Sequence, residues 1–282
     1  MAQSPDLATP STIRGVARRF GVRFQRRWGQ HFFADRTWLD RLVATLGVQK
    51  TDHVVEVGPG LGVLTRELAR RSATVVGVEI DPACVRALGL TLRDLSNATI
   101  VQGDILAQPV SRLGPTPYRV IGNIPYNLTG ALFGHLLEQP EPPWQIDLVV
   151  QKEVAQRIAS PGGDWSLATL GVRAFGEAEL LLTIPREAFF PMPRVASALL
   201  RIVPTAQPVI PKSQLAAFFQ FARPFFQVRR KQLPYVLRER QGLSNAEARA
   251  RLAELGIDPT RRPQTLTLEE WQRLFARRIV PA

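Results

Sequence analysis

Between residues 53 and 150 the chain alternates short, mainly apolar runs with longer stretches of helical period. His53–Val57, Thr74–Glu79, Thr99–Gln102, Tyr118–Gly122 and Ile146–Val150 are four to six residues long and rich in valine and isoleucine. Runs of that kind fit strands covered on both faces, as in a parallel sheet. Leu61–Arg71, Pro82–Asp94 and Leu128–Gln139 repeat apolar residues at three- and four-residue spacing and read as helices. The alternation predicts βαβ units, an α/β fold whose parallel sheet carries helices on both faces. Ala178–Ile184 and Ala196–Val203 are β-like and are expected to close the sheet, the late hairpin antiparallel. Beyond Pro204 the pattern changes. Pro204–Pro211 reads as a linker, and Ser213–Phe221, Ser244–Leu255 and Leu268–Ile279 as helices of a small all-helical C-terminal domain. Ser244 is placed to cap a helix with Glu247 at the capping-box position, and Gly256 to end it.

Three strand ends carry chemistry. Gly58-Pro59-Gly60-Leu61-Gly62 follows the first strand, where glycines let the backbone turn tightly and approach a ligand closely. Glu79 ends the second strand, 21 residues after Gly58, and can accept from both hydroxyls of a ribose. Asp104 follows the third, where a carboxylate can accept from an adenine amino group. Together they point to a nucleoside-containing cofactor at the carboxyl edge of the sheet. The G-x-G-x-G spacing differs from the dinucleotide fingerprint, and the loop lacks the Lys-Ser/Thr of a phosphate-binding loop. A nicotinamide oxidoreductase and a nucleotide triphosphatase are thereby disfavoured.

Asn123-Ile124-Pro125-Tyr126 follows the fourth strand. Methylation of an exocyclic amine explains these residue types. The amine lone pair is delocalised into the purine ring. Two acceptors, the Asn123 side-chain oxygen and the Ile124 carbonyl, bend the nitrogen toward tetrahedral geometry and aim its lone pair at a methyl group. Pro125 stiffens the carbonyl's direction. Tyr126 offers a face for an extruded base, a contact of about 1–3 kcal/mol.

Charge sharpens the partner. Lys+Arg number 36 against 24 Asp+Glu, a net charge of +12. Residues 1–50 carry +6, residues 51–200 carry −3, and residues 201–282 carry +9. Two basic flanks around a slightly acidic middle suit a polyanion, nucleic acid or an acidic membrane surface. The Arg-rich start admits a transit peptide, but Arg14–Arg27 leads straight into Trp28–Phe33, which reads as structural. The single Cys84 excludes an internal disulfide, and the three histidines show no ligand spacing, so no metal is expected. No apolar run approaches the ~20 residues of a membrane span.

These motifs resemble the ribosomal RNA adenine dimethyltransferase family, from about Arg14 to Ile279. The matching pieces are Gly29–Phe33, Glu56–Gly62, Glu79–Asp81, Gly103–Ile105, Asn123–Asn127 and Phe189–Val195. Downstream, Arg229–Leu233 and Gly256–Pro263 resemble the small-subunit branch, the KsgA-type enzymes. The resemblance implies a Rossmann-like class I methyltransferase sheet and S-adenosylmethionine as cofactor. It implies N6,N6-dimethylation of small-subunit (16S) ribosomal RNA by a cytoplasmic, monomeric enzyme without membrane or metal. Cofactor contacts are expected at His31, Phe33, Gly58, Gly60, Glu79, Ile80, Asp104, Ile105 and Asn123. The catalytic set is Asn123, Ile124, Pro125, Tyr126 and Phe189, the target base lying between Tyr126 and Phe189. Arg26, Arg27, Arg223, Arg229, Arg230 and Lys231 are expected on RNA phosphate. The implied domains are a basic segment 1–27, a methyltransferase domain 28–204 and an RNA-binding helical domain 205–282. Trp165 is expected to border the target pocket. The chain departs from the family pattern at His31 and Phe33, where Asn and Leu are usual, and at Ala196, where Asp is usual. Two alternatives stand beside this reading: a large-subunit enzyme of the macrolide-resistance type, and a non-catalytic assembly factor of the same fold.

Overall fold

The computed structural model describes residues 6–24, 30–126, 128–137, 139–160, 165–205, 207–228 and 230–277. The chain divides into two compact units, Met1–Gln156 with Ala178–Pro204, and Arg157–Glu177 with Thr205–Ala282.

The first unit is built on a sheet of seven strands among the described residues. These are β2 (His53–Val57), β3 (Thr74–Glu79), β4 (Ala98–Gln102), β5 (Tyr118–Asn123), β6 (Gln145–Gln151), β7 (Gly176–Ile184) and β9 (Ser197–Pro204), in the order β4-β3-β2-β5-β6-β9-β7. β2 pairs parallel with both β3 and β5. β4 and β6 extend the parallel ladder on either side, and β9 runs antiparallel to β6. Strand order therefore reverses between β2 and β5, and the crevice at their carboxyl ends is where such sheets bind ligands. A second, two-stranded ladder joins β1 (Phe32–Phe33) antiparallel to β8 (Phe189–Phe190), with Phe32 opposite Phe190 and Phe33 opposite Phe189.

Two helices precede the sheet that the apolar pattern did not reveal. α1 (Pro10–Phe20) starts with Thr9 accepting from the Thr12 amide at 3.3 Å and ends at Gly21 in the left-handed region. Its Ile13 and Ala17 pack into a cluster with Phe32, Leu61, Cys84 and Ala87. Within the expected basic segment 1–27, the described helix α1 thus packs on the first unit through that apolar stripe. α2 (Arg36–Leu46) is capped by Asp35 and buries Leu39, Leu42, Val43 and Leu46 in the main core, with Val54, Leu64, Leu68 and Val75. The helices between strands are shorter than their apolar patterns. α3 spans Val63–Ala69, α4 Pro82–Thr91 and α5 Thr129–Leu137. α6 (Lys152–Ala159) follows β6.

At the amino ends of the strands, Asp147 of β6 is fully buried. Its Oδ1 accepts from Arg201 Nε at 2.7 Å, and its Oδ2 from Arg119 Nη2 and Gln145 Nε2. Arg119 also donates to Asp52 Oδ2 at 3.0 Å and to the Leu46 carbonyl at the end of α2.

The second unit contains α7 (Leu167–Phe175), α8 (Leu215–Gln227), α9 (Leu233–Gln241), α10 (Asn245–Glu254) and α11 (Leu268–Ala276). Its core is aromatic: Phe218, Phe225, Trp271 and Phe275 are buried, and Phe226 stacks on Trp271 at 5.5 Å. α8 runs past Pro224, which the sequence pattern placed beyond its end. Burial of Phe225 beyond the proline offsets the lost backbone bond, because a buried Phe contributes about 1.5–3 kcal/mol. α10 has the full Ser244/Glu247 capping box, and Gly256 lies in the left-handed region after it. The boundary expected at 204/205 is crossed by Arg157–Glu177. The Trp165 amide donates to the Gln264 carbonyl, and the Thr205 amide to Phe175. Trp165 is thus a buried residue of the second unit.

Candidate active site

β2 delivers the chain into Gly58-Pro59-Gly60-Leu61-Gly62, and three glycines of this turn have positive φ. Gly60, at φ +59°, is the most constrained. A Cβ there would lie 2.6 Å from Phe32 Cε1, so only hydrogen fits between the turn and β1. Gly60 N–H donates to Glu79 Oε2 at 2.8 Å, and Asp81 N–H donates to Glu79 Oε1 at 2.8 Å. Each oxygen keeps a second lone pair for a hydroxyl donor. Burial raises the Glu79 carboxyl above its ordinary range, and the amide donors oppose the rise.

The turn, β1 and the ends of β3, β4 and β5 enclose a cavity of about 230 Å³. His31, Phe33, Gly58, Gly60, Glu79, Ile80, Asp104, Ile105 and Asn123, the whole expected cofactor set, line it, as does Pro125. Ile80 is 51% exposed at the rim, an apolar face for a flat ring. Asp104 is exposed, and its Oδ1 accepts from the Leu106 amide at 2.9 Å. Glu56 also lines the cavity and was not foreseen as a site residue. It is 1% exposed, and its Oε2 has no hydrogen-bond partner. Burial raises its carboxyl to about 8; the Thr65 hydroxyl partly opposes this and the Glu79 charge adds to it. A lone glutamate inside an apolar strand was the available signal.

Asn123 Nδ2 donates to the His31 carbonyl at 2.6 Å. A carbonyl only accepts, so the amide orientation is set and Oδ1 is the acceptor left for a substrate amine. Among the described residues nothing donates to Oδ1. The Pro125 and Tyr126 carbonyls are taken by Leu128 N–H and the Thr129 hydroxyl, whereas no described residue donates to Ile124. His31 Nδ1 donates to the Pro191 carbonyl at 2.6 Å, so His31 ties the Asn123 turn to the proline-rich loop. Tyr126 lies 5.8 Å from the His31 ring, and its hydroxyl bonds Ser197 Oγ at 2.9 Å. Burial raises the Tyr126 phenol, and Ser197 opposes the rise. Ser197 is a second residue that sequence reasoning missed. Its signal was its place two residues after Val195 in the quoted loop.

Phe189 differs from expectation. It is 4% exposed and packs against Phe33 at 4.5 Å, because the β1–β8 register sets the two rings side by side. It supports the cavity wall from behind and does not line the described cavity.

The basic residues gather elsewhere. In the second unit a concavity of about 400 Å³ is lined by Arg230, Lys231, Arg238, Arg249 and Arg262, without a carboxylate, around Tyr235. Arg223 is exposed on α8 but does not line it. Arg26, Arg27 and Arg229 lie outside the described residues.

A family model described as Ribosomal RNA adenine dimethylase matches residues 21–278. The chain belongs to the ribosomal RNA adenine dimethylase family. Ribosomal RNA small subunit methyltransferase A of Dehalococcoides mccartyi is 36% identical over 276 residues, covering 97% of this chain and 94% of that one. The crystal structure of the 23S rRNA methyltransferase ErmE is 29% identical, with TM-score 0.66 over 87% of this chain and 98% of that one. A dimethyladenosine transferase from Plasmodium falciparum shares the fold, with TM-score 0.70 at 20% identity over 86% and 96%. As a member of this family, the protein is an rRNA adenine dimethyltransferase with S-adenosylmethionine as cofactor. The cavity fits that cofactor on its own chemistry. It has a glycine turn that a single Cβ would fill, a buried carboxylate with spare lone pairs, and an orphaned buried oxygen on Glu56 free to take a hydrogen bond.

Proposed function

We propose that the protein dimethylates adenine N6 in small-subunit (16S) ribosomal RNA during ribosome biogenesis, as a cytoplasmic monomer needing no metal. The observation that carries the reading is Asn123, whose amide is locked by the His31 carbonyl with its oxygen outward. Near-complete coverage of relatives named for the small subunit supports that substrate over the large-subunit alternative.

In this reading Gly58 and Gly60 admit the cofactor close to the backbone, Glu79 holds its ribose, Asp104 its adenine amine, and Ile80 and Ile105 its ring faces. Phe33 and His31 border its methionine end. The cofactor supplies an electrophilic methyl group on a sulfonium. Asn123 Oδ1 and the Ile124 carbonyl accept the N6 protons and turn the nitrogen lone pair toward that methyl. Tyr126, held by Ser197, stacks the adenine taken out of the RNA stack. No strong base is required, because the amine becomes acidic only once the methyl is attached. Arg223, Arg230 and Lys231 bind phosphate, with Arg26, Arg27 and Arg229 assigned the same role.

The test is incubation with labelled cofactor and unmethylated small subunits, with large subunits and naked RNA in parallel. Label in adenine of small-subunit RNA is expected; label only in large subunits overturns the assignment. Asn123→Ala is expected to lower transfer by about a hundredfold or more, as misplacement of a reacting group does, with RNA binding retained. Transfer at the wild-type rate removes the N6-positioning role. Cofactor binding without transfer to any RNA favours the assembly factor.

A further inference from the structure

In the first unit several arginines have acidic partners. Arg36 and Arg71 pair with Glu67, Arg66 with Asp94, and Arg119 and Arg201 with Asp147. Arg14, Arg18, Arg19 and Arg23 are exposed, and none pairs with a carboxylate among the described residues. No acidic residue occurs between Asp6 and Asp35. Arg86 of α4 adds a fifth exposed guanidinium, donating to the Phe20 carbonyl at the end of α1 at 3.4 Å. Arg14 and Arg18 stand four residues apart on α1, where like charges cost an isolated helix about 0.2–0.5 kcal/mol. Arg36, Arg66, Arg71, Arg119 and Arg201 each have an acidic partner, whereas no described carboxylate compensates this repulsion.

The strip starts at the active site. The Arg14 guanidinium lies 5.0 Å from the Phe190 ring centroid. Phe190 pairs with cavity-lining Phe32 and precedes Pro191, whose carbonyl accepts from His31. The opposite side of α1 is committed to the core through Ile13 and Ala17. That leaves no apolar face to enter a lipid surface, as an interfacial helix requires.

We propose that Arg14, Arg18, Arg19, Arg23 and Arg86 form a phosphate track on the catalytic unit that carries the RNA strand leading to the target adenine. It rests on the RNA reading above and adds a contact surface separate from the basic concavity of the second unit. Each guanidinium presents planar, always-charged donors matched to phosphate oxygens. The Arg14–Phe190 contact sets the end of the track at the mouth of the site.

The test compares the full-length protein with the variant Arg14→Gln, Arg18→Gln, Arg19→Gln and Arg23→Gln across a salt series, using unmethylated small subunits. A second variant omits Arg14→Gln so that the Phe190 contact stays. Affinity is expected to fall at least tenfold at ~0.1 M salt in the first variant. The slope of log affinity against log salt is expected to become shallower by about 2–3, at ~0.7 per single-strand phosphate contact. The second variant is expected to show most of both effects, with cofactor affinity and thermal unfolding as in wild type. Unchanged affinity and slope overturn the track. Loss of cofactor affinity or of cooperative unfolding in both variants also overturns it, since the arginines then act through the fold. Retained subunit affinity with lost binding to phosphatidylserine vesicles overturns it in favour of a membrane surface. A wild-type protein that methylates small subunits while the variants bind as well as it does removes only the track. A wild-type protein that binds no RNA removes the RNA reading as well.

Discussion

Glu56 and Glu79 both line the cavity, both buried and both held above the ordinary carboxylate range by burial. The folded state therefore keeps a proton on Glu56 up to a pH of about 8, whereas the unfolded chain releases it near its ordinary value of 4.5. Between those values the folded state binds more protons, so stability falls as pH rises. Thermal midpoints measured from pH 5 to 8.5 are expected to decline in the wild type. In Glu56→Gln the decline is expected to be smaller, Glu79 still contributing. An equally steep decline in the variant removes Glu56 as its source. Gly60 makes a sharper demand. Gly60→Ala places a side chain at φ +59° against Phe32. It is expected to lose about 1–2 kcal/mol from the left-handed conformation alone. Cofactor affinity, measured by calorimetric titration, is expected to fall at least tenfold. The glycine turn and Asn123 were legible in sequence because their chemistry is carried by residue type at a strand end. Glu56 and Ser197 were not, because their roles come from what the fold sets beside them, a shared cavity and the Tyr126 hydroxyl.

Parallel strands buried on both faces are continuous apolar runs, so β2 and β3 were readable to the residue. Helix ends were not. Apolar spacing continues into the turns, and the capping geometry ends α3 and α4 earlier. α1 hid behind its arginines, because only Ile13, Val16 and Ala17 mark its inner stripe. β1 and β8 are two residues each and carry no period at all, yet their ladder decides that Phe189 backs Phe33. At the other edge of the sheet, Asp147 is buried between Arg119 and Arg201, a role that the apolar reading of its strand concealed. Asp147→Asn is expected to cost about 3–5 kcal/mol, because the buried Arg119 and the half-buried Arg201 lose their shared counter-charge. Urea unfolding measures that loss. A change below ~1 kcal/mol, the ordinary worth of an exposed pair, removes the network's structural role.

At the scale of the molecule, charge is partitioned. Residues 51–200 carry −3 and meet a cationic cofactor without repulsion, while residues 1–50 and 201–282 carry +6 and +9. Raising salt is accordingly expected to weaken RNA binding steeply and cofactor binding little. Parallel titrations from 0.05 to 0.5 M salt, concentrations of the order at which phosphate contacts are screened, distinguish the two. Equal slopes contradict the partition. By itself the sequence determined the parallel α/β sheet, its ligand-bearing edge, the family and the cofactor, because each is written in residue type and short-range period. Tertiary structure alone decided that Arg157–Glu177 joins the second unit, that Phe189 packs against Phe33, that Asn123 donates its amide to the His31 carbonyl and that the arginines of α1 meet no carboxylate among the described residues. Those outcomes depend on partners distant in the chain, and no local period encodes a partner.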